Sequence, residues 1–181
     1  MNTQPKKGLT PLRAFIVDDN ANMRSLLRLL LNALDIRLLF EYSDGQAALS
    51  EVPLHQPDLI LSDLSMVPMN GVAFAQALRR STDAQMRVLP IILITGHTER
   101  RRIEAARDAG VNEILAKPVT AGSLVHRIEE IILRPRPFVS NSDYFGPCRR
   151  RQRSPHHTGP FRRATDTQPE GAEPVAATGS R

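Results

Sequence analysis

Four groups with chemical potential stand where short apolar runs end. Asp18 and Asp19 follow LRAFIV, Asp63 follows LILS, Thr95 closes IILIT, and Lys117 with Pro118 follows EILA. If the runs are parallel strands, all of these ends open on one sheet edge, and residues far apart in the chain share one pocket. Three carboxylates there would repel; at roughly 4 Å and an effective dielectric near 20, each pair costs on the order of 4 kcal/mol. Raised pKa values with shared protons are one remedy, and a hard cation such as Mg²⁺, which prefers an oxygen-only donor set, is the other. A carboxylate beside such an ion can attack a phosphoryl group, with the metal and a lysine ammonium absorbing charge on the transferring oxygens. Thr95 adds a hydroxyl donor.

The elements that must position these groups are legible from periodicity. Strands are expected at Leu12–Val17, Ile36–Tyr42, Leu59–Ser62, Ile91–Thr95 and Glu113–Ala116. Amphipathic helices are expected after each, at Ala21–Leu34, Gly45–Val52, Val72–Arg80, Glu99–Ala109 and Ala121–Leu133. The runs LILS and IILIT are apolar throughout, as strands covered on both faces require. Alternation of strand and helix predicts an α/β fold, a doubly wound five-stranded parallel sheet with helices on both faces. Asn20 and Thr120 suit helix caps, Pro53 is expected to end the second helix, and Gly110 suits the position after the fourth.

Composition narrows the function classes. The chain has 181 residues, which allows one domain and an appendage. Tryptophan is absent and aromatics are 4%, so the core must be aliphatic, and stacking platforms for single-stranded nucleic acid are disfavoured. The +5 charge is local: residues 1–133 hold 15 basic and 15 acidic side chains, whereas residues 134–181 hold nine and four. A single cysteine, Cys148, precludes an internal disulfide and fits a reducing, cytoplasmic setting. No run reaches the roughly 20 apolar residues of a membrane span, so no membrane insertion is expected.

Three segments follow: a flexible N-terminus at 1–9, a domain at 10–133 that carries all the chemistry, and a Pro/Arg-rich tail at 134–181. The tail holds seven of the 14 prolines, lacks a periodic apolar face, and is expected to be largely disordered. Cutting after Leu133 should therefore leave folding intact. Within the tail a short element recurs 13 residues apart, Gly146-Pro147-Cys148-Arg149-Arg150 and Gly159-Pro160-Phe161-Arg162-Arg163. Doubled and arginine-rich, it reads as a recognition motif for carboxylate or phosphate.

Asp18-Asp19, the run Ser62-Asp63-Leu64-Ser65-Met66-Val67-Pro68-Met69-Asn70-Gly71, Thr95-Gly96 and Lys117-Pro118 resemble, in order and spacing, the receiver domains of two-component signalling, with the chemotaxis receiver as the simplest case. The resemblance covers residues 10–133 and implies a flavodoxin-like (βα)5 fold. It implies that Asp63 accepts a phosphoryl group from a histidine kinase, a phosphotransfer protein or a small phosphodonor. Asp19 and Asp63 would then bind Mg²⁺ directly, Asp18 through water, and the Ser65 backbone carbonyl would be a further ligand. Lys117 and Thr95 would hold phosphoryl oxygens, and the Lys117–Pro118 bond would be cis. Output would be a contact with a downstream protein, by resemblance through the fourth helix, fifth strand and fifth helix. The chain would relay a signal rather than act as an enzyme on other molecules.

Three departures stand out: the loop proline is Pro68, with Val67 in its usual slot; the switch position is Ile114 rather than an aromatic; and His97 occupies a place that tunes phosphoryl lifetime. An Asp pair before a helix is often only a cap, Asp63 could be a turn aspartate, Thr95 an ordinary strand residue and Lys117 a solvated lysine, but four such coincidences at four strand ends are improbable. A dehalogenase-type phosphatase needs a second aspartate two after the first, where Ser65 stands. The other alternative is a receiver-regulated binder of nucleic acid or an acidic partner acting through the arginine tail.

Overall fold

A computed structural model describes residues 12–96, 99–142 and 144–149. Five strands, β1 (Arg13–Val17), β2 (Leu38–Tyr42), β3 (Leu59–Asp63), β4 (Ile91–Thr95) and β5 (Glu113–Ala116), form one parallel sheet in the order β2-β1-β3-β4-β5. The order reverses between β1 and β3, and that switch point is where ligands of such sheets sit.

Alternation along the buried strands divides two cores. Phe15, Val17, Ile60, Ile91 and Leu93 face the helices α2 (Gly45–His55), α3 (Gly71–Arg79) and α5 (Arg100–Asp108), meeting Ala48, Val52, Phe74, Leu78 and Ala106. Ala14, Ile16, Leu61, Ile92 and Ile94 point the other way, onto Leu27 and Leu31 of α1 (Ala21–Ala33) and Leu124 and Ile128 of α6 (Ala121–Leu133). Period-two strands covered on both faces explain why LILS and IILIT carry no polar alternation.

Local signals set the helix ends. The Asn20 side chain accepts from the amides of Asn22 and Met23, and Thr120 forms a reciprocal capping box with Ser123. Gly110 takes a positive φ of 81° just past α5, as its place in the sequence suggests. Pro53 does not end α2. The helix runs on past the missing N–H to His55, and Gln56 closes it in the left-handed region with its amide on the Val52 carbonyl. A short helix not expected from the sequence, α4 (Ala84–Val88), is capped by Asp83.

The larger difference lies beyond Leu133. Residues 138–147 form an antiparallel pair, β6 (Phe138–Ser140) with β7 (Phe145–Pro147), packed on the amino-terminal edge of the main sheet. The folded unit thus runs past the expected boundary at Leu133, and residues 150–181 of the expected tail lie outside the described residues. Arg87 stacks 3.9 Å from the centre of the Phe145 ring and Arg79 lies 5.1 Å from that of Phe138. Arg136 donates to the Asn112 carbonyl and approaches Glu113, whose buried carboxylate also receives Arg127 at 3.2 Å. Arg79, 4% exposed, donates to the carbonyls of Gly110, Arg87 and Leu89 and to Asn112 Oδ1. Aromatic packing and arginine stacking supply the burial that proline-rich composition hides. Residues 1–9, His97, Arg150 and the second Gly-Pro element lie outside the described residues.

Candidate phospho-acceptor site

The strand ends converge as their spacing predicts. Val17 is in register with Ser62, Asp63 with Ile94, and Thr95 with Ala116, so Asp18, Asp63, Thr95 and Lys117 share the carboxyl edge. Asp18 has no exposed surface and Asp63 only 5%. Lys117 Nζ lies 2.6 Å from Asp63 Oδ1 and 3.4 Å from Asp18 Oδ2, bridging the two carboxylates. The Ser65 amide donates to the other Asp63 oxygen at 2.6 Å, and the Asn20 amide donates to Asp18 Oδ1 at 2.8 Å.

One ammonium between two buried carboxylates leaves net negative charge, and the titration shifts carry that imprint. Burial pushes the Asp18 carboxyl up; the Asn20 amide and Lys117 pull it down, and the Asp63 charge raises it again, leaving it above its ordinary value. Burial alone would lower the Lys117 ammonium, but its hydrogen bond to Asp63 and the charges of Asp63 and Asp18 outweigh that, leaving it raised and firmly protonated at neutral pH.

Asp19 is exposed at the rim, beside the pair rather than within it. Among the described residues no three acidic, His or Cys side chains stand together as a ready metal cluster. The donors are nonetheless of the right kind: a buried carboxylate pair with surplus charge, a third carboxylate adjacent in sequence, and oxygen donors throughout suit a hard divalent cation. Ser65 is at hand, with its amide engaged on Asp63. Thr95 is buried and its carbonyl accepts the Lys117 amide at 2.8 Å, which ties the two strand ends together. The Lys117–Pro118 bond is cis, and so is Val67–Pro68 in the loop that departs from the family pattern.

Two supports were not singled out from sequence. Arg24 donates from Nη1 to the Asp18 carbonyl at 2.7 Å, while its Nε faces Glu41 at 3.7 Å, fixing the end of β1. Its signal was available: it lies on α1 one turn after the Asn20 cap. Gly71 lets α3 start against the acceptor strand; a Cβ there would stand 2.2 Å from the Asp63 carbonyl oxygen and 2.6 Å from Leu93 Cδ1. Ile114 is half-buried against the first core.

Residues 14–129 match the family model of the response regulator receiver domain. The chain is 33% identical over 123 residues to the chemotaxis protein CheY of Pseudomonas aeruginosa, covering 68% of this chain and 98% of that one. It is also 33% identical over 124 residues to the transcriptional regulatory protein PdtaR of Mycobacterium tuberculosis, covering 68% of this chain but 58% of that protein, so it spans little more than half of PdtaR's length. The solved structure of chemotaxis protein CheY4 of Vibrio cholerae superposes with a TM-score of 0.63 at 24% identity, over 68% of this chain and all of that one, a likeness of fold. Receivers are signalling modules rather than enzymes acting on other molecules, and magnesium is typical of them. No helix among the described residues is long and apolar enough to cross a membrane. With a matching fold and a family model over most of its length, the chain belongs to the response regulator receiver domain family of two-component signalling.

Proposed function

We propose that the chain is a cytoplasmic response-regulator receiver in which Asp63 accepts a phosphoryl group in a Mg²⁺-dependent reaction and the phosphorylated state controls a contact with another protein. The observation that carries this is the Lys117 ammonium 2.6 Å from Asp63 Oδ1, beside the buried Asp18. In the reaction an Asp63 carboxylate oxygen bonds to phosphorus as the P–N bond of a histidine kinase's or phosphotransfer protein's phosphohistidine breaks, the imidazole leaving with the electron pair. Lys117 meets one phosphoryl oxygen and the Thr95 hydroxyl another. Asp18, Asp19, Asp63 and the Ser65 carbonyl would hold Mg²⁺, which when bound neutralises charge on the transferring group. The contact with the downstream protein is assigned to α5, β5 and α6.

Incubation with Mg²⁺ and a small phosphodonor, followed by intact mass measurement, tests this reading. One added phosphoryl group that needs Mg²⁺ is the expected result; no gain, or a gain indifferent to chelation, refutes it. The tail-mediated reading loses one of its arginines, because Arg149 is spent within the fold on Asp108 at 2.8 Å.

A further inference from the structure

The turn between β1 and α1 carries two of the proposed cation ligands, Asp18 and Asp19, on adjacent residues, and the two are held differently. Asp18 is fixed on every side. Its amide donates to the Tyr42 carbonyl at 3.1 Å, Oδ1 accepts the Asn20 amide at 2.8 Å, Oδ2 faces Lys117 at 3.4 Å, and the carbonyl accepts Arg24 Nη1 at 2.7 Å. Asp19 is exposed, so what aims it is the backbone. The Asp18 carbonyl and the Asp19 amide belong to one planar peptide unit, and a donor that fixes the carbonyl fixes the direction from which the Asp19 side chain leaves. Arg24 is that donor, and it is itself braced. Its amide donates to the Asn20 carbonyl at 3.1 Å, and its Nε lies 3.7 Å from Glu41 Oε2 on β2, whose other oxygen Arg28 Nη1 approaches at 3.5 Å. Glu41 is in register with Ile16, so the brace comes from the strand beside the one that ends in Asp18.

A guanidinium is an unfavourable neighbour for a site that must take up a divalent cation, since its charge opposes the incoming ion. Glu41 answers that charge, and what Arg24 offers the site is its hydrogen bond. We propose that Arg24 is a positioning residue for the cation: it holds the Asp18 carbonyl, thereby aims the Asp19 carboxylate, and so sets the affinity for Mg²⁺. This rests on the reading of Asp18, Asp19 and Asp63 as Mg²⁺ ligands. Charge and position predict opposite signs. Acting by charge alone, Arg24 would weaken Mg²⁺ binding, and its removal would tighten it; acting by position, its removal loosens it. Losing an outer partner of a metal ligand costs about ten- to hundredfold in affinity. The lower end is expected here, because Arg24 touches the backbone between two ligands rather than a ligand atom.

Calorimetric titration of the intact chain with Mg²⁺ alone tests this without any phosphoryl transfer. Arg24→Met keeps the stem and loses the donors, and should raise the Mg²⁺ dissociation constant about tenfold. Arg24→Lys keeps the charge and one donor group, and should fall between Arg24→Met and the unsubstituted chain. The Mg²⁺ concentration for half-maximal phosphoryl mass gain should rise in the same order, while the maximal rate changes less. Circular dichroism checks that both variants fold; if Arg24→Met does not, Arg24→Lys decides, weaker Mg²⁺ binding supporting the proposal and unchanged or tighter binding overturning it. A folded Arg24→Met that binds Mg²⁺ as well as the unsubstituted chain, or more tightly, overturns the positioning role alone, provided the unsubstituted chain still gains its phosphoryl group in Mg²⁺. An unsubstituted chain that neither binds Mg²⁺ nor gains a phosphoryl group overturns both this inference and the reading on which it rests.

Discussion

The two edges of the sheet use charge in opposite ways. At the amino-terminal edge most of the charge described is answered: Arg79 by four acceptors and a ring, Glu113 by two arginines, Arg149 by Asp108, and Arg87 by the Phe145 face, although its Nε is buried without a hydrogen-bond partner. At the carboxyl edge two buried carboxylates share one ammonium, with a third carboxylate beside them. One edge is largely satisfied and holds the fold; the other keeps a surplus of negative charge that an incoming cation can relieve. Surplus buried charge costs stability, and its persistence at one edge supports the proposed site of chemistry there.

The sharpest way to break this comparison acts on the carboxyl edge. Asp63→Asn should abolish the phosphoryl mass gain entirely, because an amide is no nucleophile here, while circular dichroism stays that of the unsubstituted chain. Labelling that persists in this variant would assign the chemistry elsewhere. Lys117→Ala should lower the labelling rate by roughly a hundredfold, the scale of losing one preorganised electrostatic partner, again with the fold intact.

The amino-terminal edge should respond in stability and not in chemistry. Truncation after Leu133 removes Phe138, Phe145 and the Arg136 contacts, and should cost about 3–5 kcal/mol in urea unfolding, as large aromatic deletions do. Unchanged stability would mean that the hairpin contributes nothing in solution and would restore the boundary expected from composition. Arg79→Met keeps the apolar stem but strands the carbonyls of Gly110, Arg87 and Leu89, for a loss of roughly 1–3 kcal/mol. Burial already holds that guanidinium down at about 10.

What could be read from sequence follows the same division. The carboxyl edge was legible because parallel strands end in register, so Asp18, Asp63, Thr95 and Lys117 were placed together by topology alone. Arg24 and Gly71 were not singled out, since their roles depend on a carbonyl and a backbone approach that only packing reveals. The hairpin was hidden by composition. Phe138-Val139-Ser140, the polar run Asn141-Ser142-Asp143 and Tyr144-Phe145-Gly146 form a hairpin pattern, but prolines and arginines around it suggested a tail. Its burial comes from partners on other elements, Arg79 on α3 and Arg87 on α4, which no local pattern shows.

The smallest expected effect sharpens the comparison most, because its sign differs from that of every other substitution. Asp18→Asn keeps shape and the hydrogen bond from the Asn20 amide but removes one of the two buried charges. The Asp18 carboxyl is raised in the folded protein, by burial first, so the folded state holds its proton more tightly than the unfolded chain does. A group shifted that way imposes no penalty below the unfolded value of 3.8 and an increasing one as pH rises through the folded value. Asp18→Asn should therefore raise the melting temperature at pH 7, by on the order of 2–4 °C, and the gain should fade as pH falls toward 4. Lys117 works against this, since it loses one of its carboxylate partners, yet Asp63 remains at the shorter distance and keeps most of the pairing. Thermal unfolding of both proteins across pH 4 to 7 decides the matter. A stabilisation that grows with pH identifies the carboxyl edge as charged in deficit, whereas a uniform loss of stability would mean that the Asp18–Lys117 pair holds the fold together, as the arginines do at the opposite edge.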